Sequence, residues 1–339
     1  MPQPLAIMSD RPPERPPATL PDMDVLSDAI TAMRTGLPHA GRSRRSAPWG
    51  IRFPDSDGTG VHVVLQGSCW LLPSDGAPPL RLGVGDVLLL ARGGSYGLAD
   101  HPDTPLEDVV LRPDGTLPSH PDEPEDGHPS ARLLCGAYQL NRARAHPLLA
   151  CVPPVVHLPA QVGRHPGLRA VVDLLGSEAT GHRPGSDAIV PALLDTLLLL
   201  VLRAWFEEES DRGATGWAAA LGDGAVASAL RDIHGDPAHP WTVEELAVRA
   251  GLSRAAFARR FTALVGQPPL GYLTWWRMTT AGRLLRSDDA PLRVVSRRTG
   301  YTSEFAFAKA FKREYGLSPG QYRDQRRPAR PGLAARSVR

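Results

Sequence analysis

Residues 241–261 read WTVEELAVRAGLSRAAFARRF. Thr242 is placed to cap a helix, and Glu245, three residues on, completes a capping box. Leu246, Ala247 and Ala250 supply one inner face, and Gly251 permits the left-handed turn that stops the helix. Ser253 caps a second helix whose Phe257, Phe261 and Leu264 point inward at i, i+4 and i+7. What faces outward is Arg254, Ala255, Ala258, Arg259 and Thr262, a set of small or basic side chains. Two short helices joined by a glycine turn, the second with a slim basic outer face, describe a helix-turn-helix.

A second unit lies further along the chain. Leu292, Val294 and Val295 open a helix that ends at Thr299, Gly300 and Tyr301; Ser303 caps the next, with Phe307 and Phe311 inside at i and i+4. Its outward set is Glu304, Phe305, Ala308, Lys309 and Lys312. Superposing the serine caps puts Phe257 over Phe307 and Phe261 over Phe311, so the core spacing repeats. A single glycine-turn helix pair occurs in many bundles that touch no nucleic acid. Two in register, joined by a helix from Leu270 to Leu285, point to DNA.

Charge agrees with this reading. The 339 residues carry a formal net charge of +2, which divides into opposite halves. Residues 1–220 hold 18 basic and 26 acidic side chains, a net of −8; residues 221–339 hold 20 and 10, a net of +10. A basic C-terminal part suits a polyanionic partner. Both lysines of the chain, Lys309 and Lys312, fall on the second outward face.

Upstream the texture is different. Gly 33 and Pro 35 punctuate short apolar runs at Gly50–Pro54, Val61–Gly67, Cys69–Leu72, Leu80–Leu82, Asp86–Leu90 and Arg132–Leu140, the pattern of a small antiparallel barrel. Residues 100–130 read as a long acidic surface loop. Helical spacing marks residues 22–34 behind Asp22, then Leu168–Leu175, then Ile189–Trp205. The expected fold class is therefore α+β in two domains: a β-barrel with packed helices, then an all-α double helix-turn-helix. The expected boundaries are a disordered leader 1–21, a sensor and dimerisation domain 22–210, a linker 211–224, a DNA-binding domain 225–327 and a disordered tail 328–339.

Several function classes become poor fits. The leader has no apolar core of signal-peptide length. The apolar run Thr196–Phe206 is broken by Arg203 and falls short of the about 20 residues a span requires, so no membrane partner is expected. Cys69, Cys135 and Cys151 cannot all pair, which argues against a disulfide scaffold and for a cytoplasmic setting.

Residues 225–327 resemble the C-terminal DNA-binding domain of AraC/XylS-type transcription regulators, above all in GYTSEFAFAKAFKREYGLSPGQYR over 300–323. The resemblance implies seven helices, with two recognition helices in successive major-groove segments roughly 34 Å apart on double-stranded promoter DNA. Carried over by position, Arg254, Ala255, Ala258 and Arg259 face the DNA from the first recognition helix, and Glu304, Phe305, Ala308 and Lys309 from the second. Arg259 is the best candidate for base readout, since a guanidinium grips guanine O6 and N7 with two bonds. Lys309 and Lys312 suit phosphates. The N-terminal half resembles the cupin-type sensor domain of one branch of that family. The matching stretches are Asp24–Ser27, Pro48–Pro54, the strand of His62, Leu82–Leu90, Leu134–Gly136 and His146–Leu149.

Catalytic cupins hold a metal with paired histidines, a carboxylate and a later histidine. Here His62 stands alone, with Val64 and Gln66 in the neighbouring places, so no metal, cofactor or catalytic residue is expected. His62, Trp70 and Tyr96 are instead candidates for a small-molecule effector pocket. Cys135 and Cys151 flank Arg142, Arg144 and His146, whose positive charge is expected to depress a thiol pKa and offer a redox sensor; inert packing is the plainer reading. A zinc cluster of His120, His128, His146 and His157 follows no ligand grammar. The helix at Ile189–Trp205 is either barrel-packing core or a homodimer seam, and the resemblance favours the dimer. The expected function is a sequence-specific transcription regulator and no enzyme, with a small-molecule or redox effector and RNA polymerase as a further partner. A constitutive regulator whose cupin only dimerises is the alternative.

Overall fold

A computed structural model describes residues 24–33, 38–56, 58–110, 130–138, 146–161, 163–178, 183–213, 215–287 and 289–324. The first part forms α1 (Val25–Met33), β1 (His39–Arg45), β2 (Gly50–Phe53), β3 (Thr59–Gly67), β4 (Cys69–Pro73), β5 (Leu80–Leu82), β6 (Val87–Leu90), β7 (Tyr96–Ala99), β8 (Glu107–Asp108), β9 (Ala131–Tyr138), α2 (Pro147–Cys151), β10 (Val155–Leu158), α3 (Pro166–Glu178) and α4 (Ser186–Asp211). The second part is helical: α5 (Gly216–Gly222), α6 (Gly224–Gly235), α7 (Val243–Arg249), α8 (Arg254–Val265), α9 (Pro269–Ser287), α10 (Leu292–Arg298), α11 (Glu304–Tyr315) and α12 (Pro319–Asp324). The expected leader, tail and acidic core of the long loop lie outside the described residues.

The strands make two five-stranded sheets, ordered β1-β9-β3-β6-β10 and β5-β4-β7-β2-β8. Between them Trp49, Ile51, Phe53, Val64, Cys69, Leu71, Leu82, Leu88, Leu98 and Leu133 form a filled interior. The alternate residues Val61, Val63, Val87, Leu89 and Leu134 face outward onto a second core shared with α3 and α4. With apolar cover on both faces, β6 reads as an unbroken Val-Leu-Leu-Leu run. Strand β1 escapes a sequence reading because HAGRSRR has no apolar alternation; seven consecutive pairings to β9 hold it.

Helix α4 has the length and apolarity of a membrane span. Its Leu194, Leu197, Leu198, Val201, Leu202 and Trp205 are instead buried in the shared core. The cap of α1 is Asp24, which accepts from the Leu26 amide and the Ser27 hydroxyl; Asp22 lies outside the described residues. The stretch expected as a linker carries α5, whose Trp217 is 1% exposed. Glycine and alanine around that tryptophan read as spacer, but they let α5 pack closely between the barrel helices and α8.

In the helical part each recognition unit is built as the sequence indicates. Thr242 accepts from the Glu245 amide, Ser253 from Ala256 and Ser303 from Ala306. The Glu245 carboxylate does not close the expected capping box; it meets His239 Nε2 at 2.9 Å. Gly251 and Gly300 hold φ +67° and +77° in the two turns, a conformation costly for other residues. The repeat survives in three dimensions: the Phe257 and Phe261 rings lie 5.6 Å apart, and those of Phe307 and Phe311 5.7 Å apart.

Helix α9 divides its faces between the units. Tyr272, Leu273 and Trp276 join the first, and Met278, Ala281 and Leu285 the second. A Cβ at Gly282 would collide with the hydroxyl end of Tyr315, so glycine leaves room for that side chain to lie across α9. The first unit shares one continuous core with the barrel helices, while the second has its own.

Candidate nucleic-acid interface

On α8, Phe257, Phe261 and Val265 are buried, leaving Arg254, Ala255 and Arg259 exposed and Ala258 and Thr262 half-buried on the other side. Arg254 is paired with Glu244 at 2.9 Å, and Arg260 with Asp223, which also caps α6. The Thr262 hydroxyl donates back to the Ala258 carbonyl. Arg259 forms no ion pair among the described residues, which leaves its guanidinium for an outside acceptor.

On α11 the same split occurs. Phe307, Ala310 and Phe311 are buried; Glu304, Phe305, Lys309 and Lys312 are exposed, with Ala308 half-buried between them. Phe305 is 80% exposed, an apolar ring on the first turn of the helix. Arg277 of α9 donates to the carbonyls of Pro237 and His239, tying the connecting helix to the approach of the first unit.

Within the barrel the structure brings Cys135, expected as a redox site, to His62 and Tyr96, two of the three residues expected in an effector pocket. His62 Nε2 lies 2.7 Å from Tyr96 Oη and its Nδ1 3.2 Å from Cys135 Sγ, with Phe53 stacked on Tyr96. Trp70 is not among them. Its neighbours Cys69 and Leu71 face the interior, so period two along β4 turns Trp70 outward. Burial holds His62 down to about 4 and pushes Cys135 up to about 12. At neutral pH both are uncharged. The depressed thiol expected at Cys135 is therefore reversed, because loss of water disfavours the thiolate. Cys151 is exposed, and the arginines invoked beside it, Arg142 and Arg144, lie outside the described residues, as do His120 and His128. No group of three metal-ligating side chains occurs among the described residues.

A polar chain missed by sequence reasoning crosses from barrel to reader. The Leu148 amide donates to His146 Nδ1, so the proton of the neutral ring sits on Nε2 and is donated to Tyr272 Oη at 2.9 Å. Tyr272 donates in turn to His234 Nε2 at 2.6 Å, and His234 Nδ1 to Asp28 at 3.2 Å. His146, His234 and Tyr272 are almost wholly buried among Trp217, Trp275 and Trp276. Burial holds both imidazoles below their ordinary range, consistent with two neutral rings. His146 and Asp28 come from the barrel side; His234 and Tyr272 come from α6 and α9.

A filled barrel fused to a duplicated helix-turn-helix defines a DNA-binding protein with an attached cupin. A family model described as a cupin matches residues 24–207, and one described as a helix-turn-helix domain matches 246–325. An AraC-like transcription regulator of Streptomyces antibioticus is 34% identical over 310 residues, 90% of this chain and 100% of its own. The transcriptional regulator MtrA of Neisseria gonorrhoeae is 29% identical over 287 residues, 82% of this chain and 90% of its own. The solved DNA-binding domain of AdpA, in complex with a target DNA, is 35% identical and covers 30% of this chain and 92% of that one, with a TM-score of 0.29. The chain belongs to the AraC family of DNA-binding transcription regulators and carries a cupin N-terminal domain.

Proposed function

We propose that this regulator reads promoter DNA with both units and that its cupin part biases their engagement in response to an effector. The carrying observation is the pair of matched outward faces, Arg254, Ala255, Ala258, Arg259 and Thr262 on α8 and Glu304, Phe305, Ala308, Lys309 and Lys312 on α11, whose inner faces both pack on α9. Arg259 reads bases, and Lys309 and Lys312 hold phosphates. The buried His146–Tyr272–His234–Asp28 chain supports the coupling, because a shift of α1 or α2 must move α6 and α9 or break hydrogen bonds. The effector is a small molecule or an oxidant. A cleft of about 660 Å³ lined by Val25, Arg203, Phe206 and Arg231 offers space beside this seam.

The working unit is a cytoplasmic homodimer that contacts RNA polymerase, without catalysis of its own, divided into domains at 22–210 and 225–327. Leu174 of α3 and Ile189 of α4, 52% and 41% exposed, support a dimer seam along these helices. The packed barrel interior favours one second reading, a constitutive regulator whose cupin serves only dimerisation. A genome-wide occupancy map taken with and without the metabolites handled by neighbouring genes separates them. Occupancy that changes with a metabolite or oxidant supports sensing; occupancy indifferent to all of them supports the constitutive reading.

A further inference from the structure

Antiparallel pairing of β1 with β9 sets Arg44 directly opposite Arg132, and Arg42 opposite Leu134. Leu134 belongs to the core under α3 and α4, so Arg42, Arg44 and Arg132, each two residues apart along its strand, project from that same face. On the other side of β9, Gln66 of β3 pairs with Arg132 after a break in register that follows Val64. Arg42 lies behind the facing arginines, its Nη2 3.7 Å from where a Cβ of Gly176 in α3 would stand.

Like charges set opposite on neighbouring strands oppose folding. Here they are also poorly satisfied. Arg42 Nε and Arg132 Nε are both buried without a hydrogen-bond partner. Burial, then the charge of Arg132, pulls the Arg42 guanidinium below its ordinary pKa. Among the described residues no carboxylate pairs with Arg42, Arg44 or Arg132. Glu178, the acid in the last turn of α3, is taken by Arg183 and by the Ser186 hydroxyl.

We propose that this arginine group is a binding site for a tetrahedral dianionic oxyanion, inorganic phosphate or the phosphate group of a small phosphomonoester. Guanidinium forks grip such oxygens with two parallel bonds, and a dianion neutralises the facing charges of β1 and β9. The terminal nitrogens of these guanidinium groups are the donors the ligand meets. The site is independent of the recognition helices and of the DNA-binding reading.

The test uses the full chain, with equilibrium dialysis of labelled inorganic phosphate and thermal melts in phosphate against chloride at equal ionic strength. Wild type is expected to bind phosphate at this site and to melt higher in its presence. Arg42→Gln and Arg132→Gln are each expected to bind about tenfold or more weakly, the loss of one charge-assisted fork. Without phosphate they are expected to melt at or above wild type, because a repulsive pair has gone. Arg259→Ala, on the recognition helix, is expected to keep this binding. Glycerol phosphate distinguishes the sources: tighter binding than the free ion assigns the site to a phosphomonoester, and equal binding to phosphate itself. The proposal is overturned if both glutamine variants bind phosphate as wild type does, or if they melt lower than wild type in phosphate-free buffer. It is equally overturned if phosphate binds only after Asp122, Glu123, Glu125 and Asp126 are changed to their amides, since the arginines would then serve the chain's own acidic run.

Discussion

Tyr272 Oη donates to His234 Nε2 across 2.6 Å while accepting from His146 Nε2 at 2.9 Å, so one phenol joins the barrel side of the molecule to the DNA-reading side. Both imidazoles are uncharged and neither has access to water that might replace the phenol. Tyr272→Phe keeps the ring among Phe261 and Trp275 but leaves a buried N–H and a buried acceptor unpaired. The expected cost is about 1–3 kcal/mol of stability. Urea unfolding measures it, and a midpoint equal to wild type would remove the chain from the list of interdomain ties.

Acid should weaken the fold through the same kind of group. His62 sits at about 4 in the folded chain against an ordinary 6.5, because burial penalises its charge. A base with a depressed folded pKa binds fewer protons folded than unfolded, so its stability contribution is whole above 6.5, falls as pH drops below that, and stops falling near 4. His146 and His234 act in the same direction. Across the His62 window the loss is about 3 kcal/mol. His62→Gln is expected to flatten the dependence by that share. Parallel pH profiles for the two chains in urea melts would show that His62 does not titrate in this way.

Substitutions on the recognition helices should separate readout from general attraction. Arg259→Ala is expected to lower specific affinity by about 1–3 kcal/mol and to relax sequence choice. Lys312→Ala is expected to weaken all sequences alike and to reduce the salt slope by about 1. Gel shifts on operator and scrambled DNA over a salt series check both. Unchanged operator affinity in Arg259→Ala would mean that α8 does not read bases.

Native thiol labelling at neutral pH should divide the cysteines. Cys151 is exposed and is expected to react, whereas Cys69 and Cys135, both buried with thiols pushed up to about 12, should label only on unfolding. Rapid native labelling of Cys135 would reopen it as an oxidant sensor.

What could be read before the structure follows from the range of the signals involved. The two recognition units depend on caps, glycine turns and apolar spacing within a few residues, and those signals lie along the chain. Strands β3, β4, β5 and β6 were legible for the same reason. Strand β1 was not, because seven ladder pairings hold it while its own residues carry no pattern. Trp70 could not be sided from sequence, since alternation says only that Cys69 and Trp70 face opposite ways. Packing around Val64 and Leu88 chose Cys69 for the interior.

By itself, then, the sequence determined a duplicated reader of DNA on a basic segment behind a turn-rich barrel, because helix periodicity, capping and net charge are local or additive quantities. The tertiary structure alone decided which distant groups meet. His62 and Cys135 are 73 residues apart, His146 and Tyr272 126, and Asp28 and His234 206, and no local pattern encodes such pairs. They arise from strand register and from the docking of α1 and α2 on α6 and α9, where burial sets which protons each group can hold.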